Sequence, residues 1–297
     1  MEKRYILHLL TSARHASPFD VNMACDAGYD VVVPYADVRQ EDVASLTQDA
    51  IFSRGPKGAR RTGLYIGGRE IALAADMLQA ARKAMVPPFA VSVFADPSGA
   101  FTTAAAMIAC VERRLRDAGQ AELAGREVVV FGGTGPVGSV AAVLAAQSGA
   151  NATIVSRRRE HAEKTAADLG RRYKTAIAAV EAGGDAARLL ARADVALACG
   201  APGVQLLSKR ELATAMQLRV VADVNAVPPS GVEGLGATDD GVAIAAGSGN
   251  AVGIGALAIG NVKYQTQRSM LESMRASETP VYLDFRDALL AARKCVA

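Results

Sequence analysis

Tryptophan is absent from the chain, histidine occurs three times, and aromatic side chains make up only 5% of it. A surface that stacks on nucleobases needs exposed rings, so single-stranded nucleic acid is a poor match. The charge balance points the same way, because 33 Lys and Arg against 30 Asp and Glu leave a net charge of only +3. No apolar run reaches the ~18 residues that a membrane-spanning helix needs. The opening Met-Glu-Lys-Arg-Tyr has no apolar core of a secretory signal. Cys25, Cys110, Cys199 and Cys295 stand far apart among apolar neighbours, without metal or redox spacing. They read as buried thiols. The expectation is a cytoplasmic protein with no metal site and neither nucleic acid nor membrane as partner.

What is present is an alternation of short apolar runs and helical stretches over 297 residues, enough for two domains. Strands are predicted at Tyr5–Leu10, Tyr29–Pro34, Gly63–Ile66 and Ala90–Phe94. Between and after them come helices from Pro18, around Glu41–Asp49, over Glu70–Ala84 and over Gly99–Asp117. A second series has strands at Glu127–Phe131, Thr153–Ser156, Ala176–Val180, Asp194–Ala198 and Arg219–Asp223. Helices are predicted again over Ala256–Ser273 and Leu283–Lys294. Such alternation implies mostly parallel sheets, an α/β fold. The polar stretch Ala118–Arg126 marks the boundary, giving domains of residues 1–118 and 119–279. By analogy with two-domain enzymes of this layout, the final helix, within about 280–297, packs back on the first domain.

The clearest motif lies at the start of the second series. Val128-Val129-Val130-Phe131 runs into Gly132-Gly133-Thr134-Gly135-Pro136-Val137-Gly138, and an Ala-rich helix follows. Residues Gly133–Gly138 fit G-x-G-x-x-G, read either as a plain tight turn or as a dinucleotide cradle. The strand before it and the helix after it favour the cradle, and so a Rossmann-type domain. Gly133 is expected to make the turn, Gly135 to admit the pyrophosphate, and Gly138 to let the helix pack on the strand. Thr134, Pro136 and Val137 complete the loop. An NAD-specific site places a carboxylate at the end of the next strand, roughly 20 residues on. Here Ser156-Arg157-Arg158-Arg159 stands instead. Ser156 and the guanidinium groups of Arg157 and Arg158 suit the 2′-phosphate of NADP, while NAD loses only its usual anchor. Arg159 reads equally as a solvated helix start.

Familiar proton-transfer groups are missing. Tyr-x-x-x-Lys occurs at none of the seven tyrosines. Of His8, His15 and His161, the first falls in a strand and the last on the helix after the Arg run, so a His relay has little support. No zinc or catalytic-serine signature is present. A substrate that needs no general acid or base fits this absence. A methylene carbon between two nitrogens is one, since hydride loss leaves a resonance-stabilised amidinium with no proton to remove.

Several segments together resemble the methylene-tetrahydromethanopterin dehydrogenases of methylotrophic bacteria. They are Ser17–Asn22, Leu46–Arg54, Asp96–Ala106, Gly133–Gly138, Val221–Pro229 and Gly255–Lys263, and they span nearly the whole chain. The first two look more like the branch that accepts NAD as well as NADP and prefers the methanopterin carrier to tetrahydrofolate. The resemblance implies oxidation of methylene-tetrahydromethanopterin to the methenyl form during formaldehyde oxidation. It also implies a homo-oligomer with the pterin in a cleft between domains. It further implies that Lys263 and Asp20 are active-site residues that hold the pterin, and that Asn22, Asp96, Thr102 and Thr103 contact it. On the residues alone, Asp20 can equally complete a capping box with Ser17, and Thr102 and Thr103 can bond back to their own helix. Asn225 ends a strand on the ligand side and is expected near the nicotinamide. The basic stretch Arg54–Arg61 reads as a solvated loop or as a grip on an acidic pterin tail. The rival readings are a methylene-tetrahydrofolate dehydrogenase, though without the Tyr-x-x-x-Lys that bifunctional folate enzymes use, and a non-enzymatic NADP sensor.

Overall fold

Short apolar runs become strands wherever turn residues bound them. The structure, a computed structural model, describes residues 3–120 and 122–297. In chain order the first elements are β1 (Ile6–Leu10), α1 (Pro18–Asp26), β2 (Val31–Tyr35), α2 (Val43–Phe52) and α3 (Gly55–Ala59). Next come β3 (Thr62–Ile66), α4 (Ile71–Lys83), β4 (Ser92–Ala95) and α5 (Ala100–Asp117). Then follow β5 (Glu127–Phe131), α6 (Pro136–Gln147), β6 (Asn151–Ser156), α7 (Arg159–Tyr173), β7 (Ala178–Glu181), α8 (Gly184–Arg192), β8 (Val195–Ala198) and α9 (Lys209–Leu212). The chain ends with β9 (Val220–Asp223), β10 (Asp240–Ala243), β11 (Val252–Ile254), α10 (Ala256–Ala276), β12 (Tyr282–Leu283) and α11 (Phe285–Cys295).

Internal contacts divide the chain into two units, Met1–Thr102 with Tyr264–Ala291, and Thr103–Lys263 with Ala292–Ala297. The sequence reading divides it at 118/119 and returns it near 280. The difference has a physical reason: the division falls inside α5, inside α10 and again inside α11, where helical sequence runs on. Gly119 and Gly125 do take positive φ. They turn the chain between α5 and β5 but do not separate the units.

The first unit holds a five-stranded parallel sheet in the order β12-β4-β3-β1-β2. Every residue of the central strand β3 is buried, as expected for a parallel sheet covered on both faces. Strand β12 is too short to read from sequence. It is held by pairing Tyr282 with Val93 and Leu283 with Phe94, and Phe285 then packs edge-on against Phe101 at 5.3 Å. The second unit holds a seven-stranded sheet in the order β10-β11-β9-β8-β5-β6-β7. Leaving aside the antiparallel edge strand β10, this is the doubly wound order 3-2-1-4-5-6, whose direction reverses beside β5. The ligand crevice of such sheets lies at that reversal, at the carboxyl ends of the strands. Helix α6 is buried along Gly138–Ala145, which its small side chains permit. Among the described residues no helix is long and apolar enough to cross a membrane.

Candidate functional site

The turn between β5 and α6 is built from glycines with separate duties. Gly132 takes φ +72, and a Cβ there would meet the Cys199 carbonyl oxygen at 2.5 Å. The sharp turn therefore belongs to Gly132, where the sequence reading assigns it to Gly133. Gly133 is needed for packing, because its Cβ would lie 2.5 Å from Cβ of Ile154 on β6. A Cβ on Gly138 would stand 2.6 Å from the Gly132 carbonyl oxygen and 2.8 Å from Cα of Gly133. That residue lets α6 seat on the turn, as its place in the motif predicts. Gly135, the N-cap of α6, has only the Gly132 oxygen close by, at 3.3 Å. The Ser139 hydroxyl donates to the Gly133 carbonyl at 3.0 Å and ties the loop to the first turn of α6. Val137 and Gly138 carry first-turn N–H groups, which lack acceptors within the helix and suit an anion.

A cavity of about 420 Å³ opens beside this loop, lined by Thr134, Gly135, Ser156, Arg157, Gly200 and Ala201 among others. A hollow of about 480 Å³ shares Thr134, Ser156 and Arg157 with it and adds Arg158 and His161. Arg157 and Arg158 are exposed, and neither guanidinium is bonded or ion-paired to another described residue. Arg159 differs, since it pairs with Glu163 one turn on at 2.8 Å and belongs to the helix surface. His161, which sequence reasoning sets aside, lines this hollow from the first turn of α7. The donors at the head of α6, a glycine approach and two uncommitted guanidiniums fit a dinucleotide carrying a 2′-phosphate. Cys199 lines the same cavity. Burial, and secondarily Asp223, push its thiol far above the usual range.

Asn225 has a structural duty that its place at a strand end does not announce. Its Oδ1 accepts the N–H of Val227 at 2.9 Å and of Gly203 at 3.2 Å, while Nδ2 donates to the Pro229 carbonyl at 2.9 Å. The amide is thus committed to joining the loop after β9 to the loop after β8. Asp223 supports it by accepting the N–H groups of Asn225 at 2.9 Å and Val232 at 3.1 Å. Burial raises the Asp223 carboxyl, and these backbone bonds offset part of that rise.

In the first unit, one line of hydrogen bonds joins three of the sequence candidates. Ser17 is the N-cap of α1 but makes no side-chain cap bond, so the capping-box reading of Asp20 does not hold. Asp20 is instead buried and accepts from Nε2 of Gln267 at 3.0 Å. The same nitrogen donates to the Tyr65 hydroxyl at 3.1 Å, which donates to the Asp96 carbonyl at 3.2 Å. The Asp96 carboxylate accepts the N–H of Phe101 at 2.9 Å, the N–H of Thr102 at 3.1 Å and the Thr102 hydroxyl at 2.6 Å. Asp96 and Thr102 are wholly buried, so in this conformation they cap α5 and touch no ligand. Tyr65 and Gln267 carry no local motif and escape sequence reading. They are found only through contacts 202 residues apart.

The remaining candidates stand on three different helices. Asn22 is exposed on α1, Thr103 is half-buried on α5, and Lys263 is half-buried on α10. In the basic stretch, Gly55–Ala59 is the helix α3. The Arg54 guanidinium donates to the carbonyls of Arg4 at 2.9 Å and Arg61 at 3.3 Å and to the Thr62 hydroxyl at 3.0 Å. Arg61 donates to the Lys3 carbonyl at 2.7 Å. These two arginines hold the fold, which leaves Lys57 and Arg60 exposed. His8 is structural, as read: its Nδ1 meets the Tyr35 hydroxyl at 3.1 Å, and burial, then Arg54, lowers its pKa.

The profile of the family described as methylene-tetrahydromethanopterin dehydrogenase, N-terminal, matches residues 18–98. An NAD(P)-dependent methylenetetrahydromethanopterin dehydrogenase of Methylorubrum extorquens is 48% identical over 288 residues, covering 96% of this chain and 96% of that protein. The bifunctional protein MdtA of the same organism is 32% identical over 284 residues, covering 95% of this chain and 96% of its own length. Among solved structures, quinate dehydrogenase from Corynebacterium glutamicum in complex with NAD aligns with a TM-score of 0.55 at 14% identity. That alignment covers 97% of this chain and 98% of the other, and it is a likeness of fold.

Proposed function

This chain belongs to the methylene-tetrahydromethanopterin dehydrogenase family, and on that premise we propose that it oxidises methylene-tetrahydromethanopterin to the methenyl form with NADP, or NAD, as acceptor. The observation that carries the cofactor half is the hollow where Ser156, Arg157 and Arg158 stand without a carboxylate beside the head of α6. NADP, when bound, supplies the hydride acceptor. The N–H groups of Val137 and Gly138 and the open side of Gly135 hold its pyrophosphate, and the two guanidiniums with Ser156 hold its 2′-phosphate.

For the substrate half, the reacting carbon lies between two nitrogens and becomes part of an amidinium when its hydride passes to the nicotinamide, so no residue has to remove a proton. That agrees with the lack of a His or Tyr-Lys acid–base pair. The protein's task is then orientation and tolerance of positive charge. Asp20, a carboxylate, favours the developing cation, and Lys263 orients the pterin from far enough away not to oppose that charge. Asn22 and Thr103 are further contacts. A homo-oligomer is part of the same proposal, as the resemblance to the family implies.

The test is the rise of reduced-nicotinamide absorbance after mixing enzyme with methylene-tetrahydromethanopterin and NADP, then NAD, then with methylene-tetrahydrofolate in place of the pterin. A rise with the pterin, faster with NADP, is expected. A rise with folate alone would replace the substrate. No rise with either, alongside tight NADP binding, would leave a cofactor-binding protein without this activity.

A further inference from the structure

We infer that Gln267 and Tyr65 are positioning residues that fix the orientation of the Asp20 carboxylate from behind the substrate site. This rests on the reading of Asp20 as a pterin-side group. Neither residue can act by contact, because both side chains are completely buried. The amide nitrogen of Gln267 gives one proton to Asp20 Oδ1 at 3.0 Å and the other to the Tyr65 oxygen at 3.1 Å. Both acceptors lie on the same side of the amide. A flipped amide would turn its oxygen toward the carboxylate, so only one orientation of Gln267 is favourable.

Tyr65 makes that orientation permanent. Its ring packs edge-on against Phe94 at 5.3 Å, and its hydroxyl lies within reach of the Asp96 carbonyl at 3.2 Å and of the Asp20 carboxylate itself. Its oxygen accepts from Gln267 at 3.1 Å. Burial, followed by the charges of Asp20 and Asp96 and the bond to Asp20, pushes the tyrosine well above its usual range. Asp96 is in turn held by the first turn of α5 through Phe101 and Thr102. The orientation of Asp20 is thus referred to the rigid junction of β4 and α5, not to the solvent-facing start of α1.

Energetics favour the same conclusion. Burying a carboxylate, an amide and a phenol together costs desolvation that their mutual bonds roughly offset, and apolar residues would pack as stably. What the polar set adds is direction. A carboxylate meant to face a nascent cation gains from a fixed direction, because a misplacement of an ångström can cost a large part of the rate.

The experiment is a double-mutant cycle of Asp20→Asn and Gln267→Leu, with Tyr65→Phe alongside. It measures kcat and KM for methylene-tetrahydromethanopterin, the Kd for NADP, and the melting temperature. Gln267→Leu is expected to lower kcat/KM for the pterin by about tenfold or more while NADP affinity stays within about twofold. Tyr65→Phe should move kcat/KM in the same direction by less. The double variant should lose no more than Asp20→Asn alone. A folded Gln267→Leu with unchanged kcat/KM, or losses that multiply in the double variant, would overturn the inference while leaving Asp20 in its role. Full turnover by Asp20→Asn would overturn the reading of Asp20 and the inference with it. If Gln267→Leu does not fold, Tyr65→Phe decides alone: a lower melting temperature with unchanged kinetics would reduce the network to a structural one.

Discussion

The Thr102 hydroxyl donates to the Asp96 carboxylate at 2.6 Å, and both side chains are fully buried. Asp96 also holds two backbone N–H groups at the head of α5. Thr102→Val keeps the shape and removes one bond to a charged acceptor, so it should destabilise the protein by about 2 kcal/mol. Chemical denaturation measures this. A substrate contact would instead raise the pterin KM and leave the midpoint in place.

Gly138 tolerates no side chain, with the Gly132 carbonyl oxygen 2.6 Å and Gly133 Cα 2.8 Å from where a Cβ would stand. Both are backbone atoms, so the loop must move. Gly138→Ala is expected to weaken NADP and NAD alike by about tenfold or more. Fluorescence titration of both cofactors would show it, and unchanged binding would mean that α6 can shift without moving the cradle.

Arg157→Ala with Arg158→Ala should separate the two cofactors. Each bond from a guanidinium to a phosphate contributes about 1.5–3 kcal/mol, so the pair should cost NADP about 100-fold or more. NAD lacks that phosphate and should change little. Equal loss for both cofactors would refute the assignment. Arg159→Ala, which removes the ion pair with Glu163, serves as the control.

Lys263→Ala should raise the pterin KM or lower kcat at least about tenfold without changing NADP affinity. Full turnover would remove Lys263 from the active site. The basic helix α3 offers a contrast, because Lys57→Ala and Arg60→Ala change exposed groups that the fold does not use.

Asp240 closes the exposed edge at β10, accepting from Arg113 at 2.6 and 2.8 Å and pairing with Arg114 at 2.7 Å. Burial would raise its carboxyl, but the bonds from Arg114 and Arg113 outweigh it and hold the pKa below the ordinary value. A depressed folded value means that this contribution is present above the unfolded pKa and is lost as the pH falls through the folded one. Asp240→Asn should therefore be less stable than wild type at neutral pH and lose less on acidification from about pH 5 to 2. Parallel acid limbs in thermal melts would show that Asp240 contributes nothing to the acid response.

Legibility followed the range of the forces involved. β5 is found to the residue, and the strands from Thr153 to Asp223 to within a few residues, because β-branched runs between turns are local signals. β10, β11 and β12 were not found. They are two to four residues long and exist through pairing with partners such as Val93 and Val220. The helix α3 was hidden because two glycines and a proline read as a loop. At the site, the glycines and the Ser156–Arg158 run announce themselves by spacing. Asn225 is legible from its place at a strand end, but the bonds by which its amide joins two loops are not.

By itself the sequence determined the α/β class, the phosphate-binding turn, the missing ribose carboxylate and the family. All of these reside in short stretches, where local propensity and covalent order leave few alternatives. Tertiary structure alone decided that the units divide inside α5, α10 and α11, and that Gly132 makes the turn. It also decided that Asp20 faces Gln267 while Asp96 and Thr102 face each other. A buried polar group must find its partner wherever the fold brings one, and 247 residues separate Asp20 from the amide that holds it.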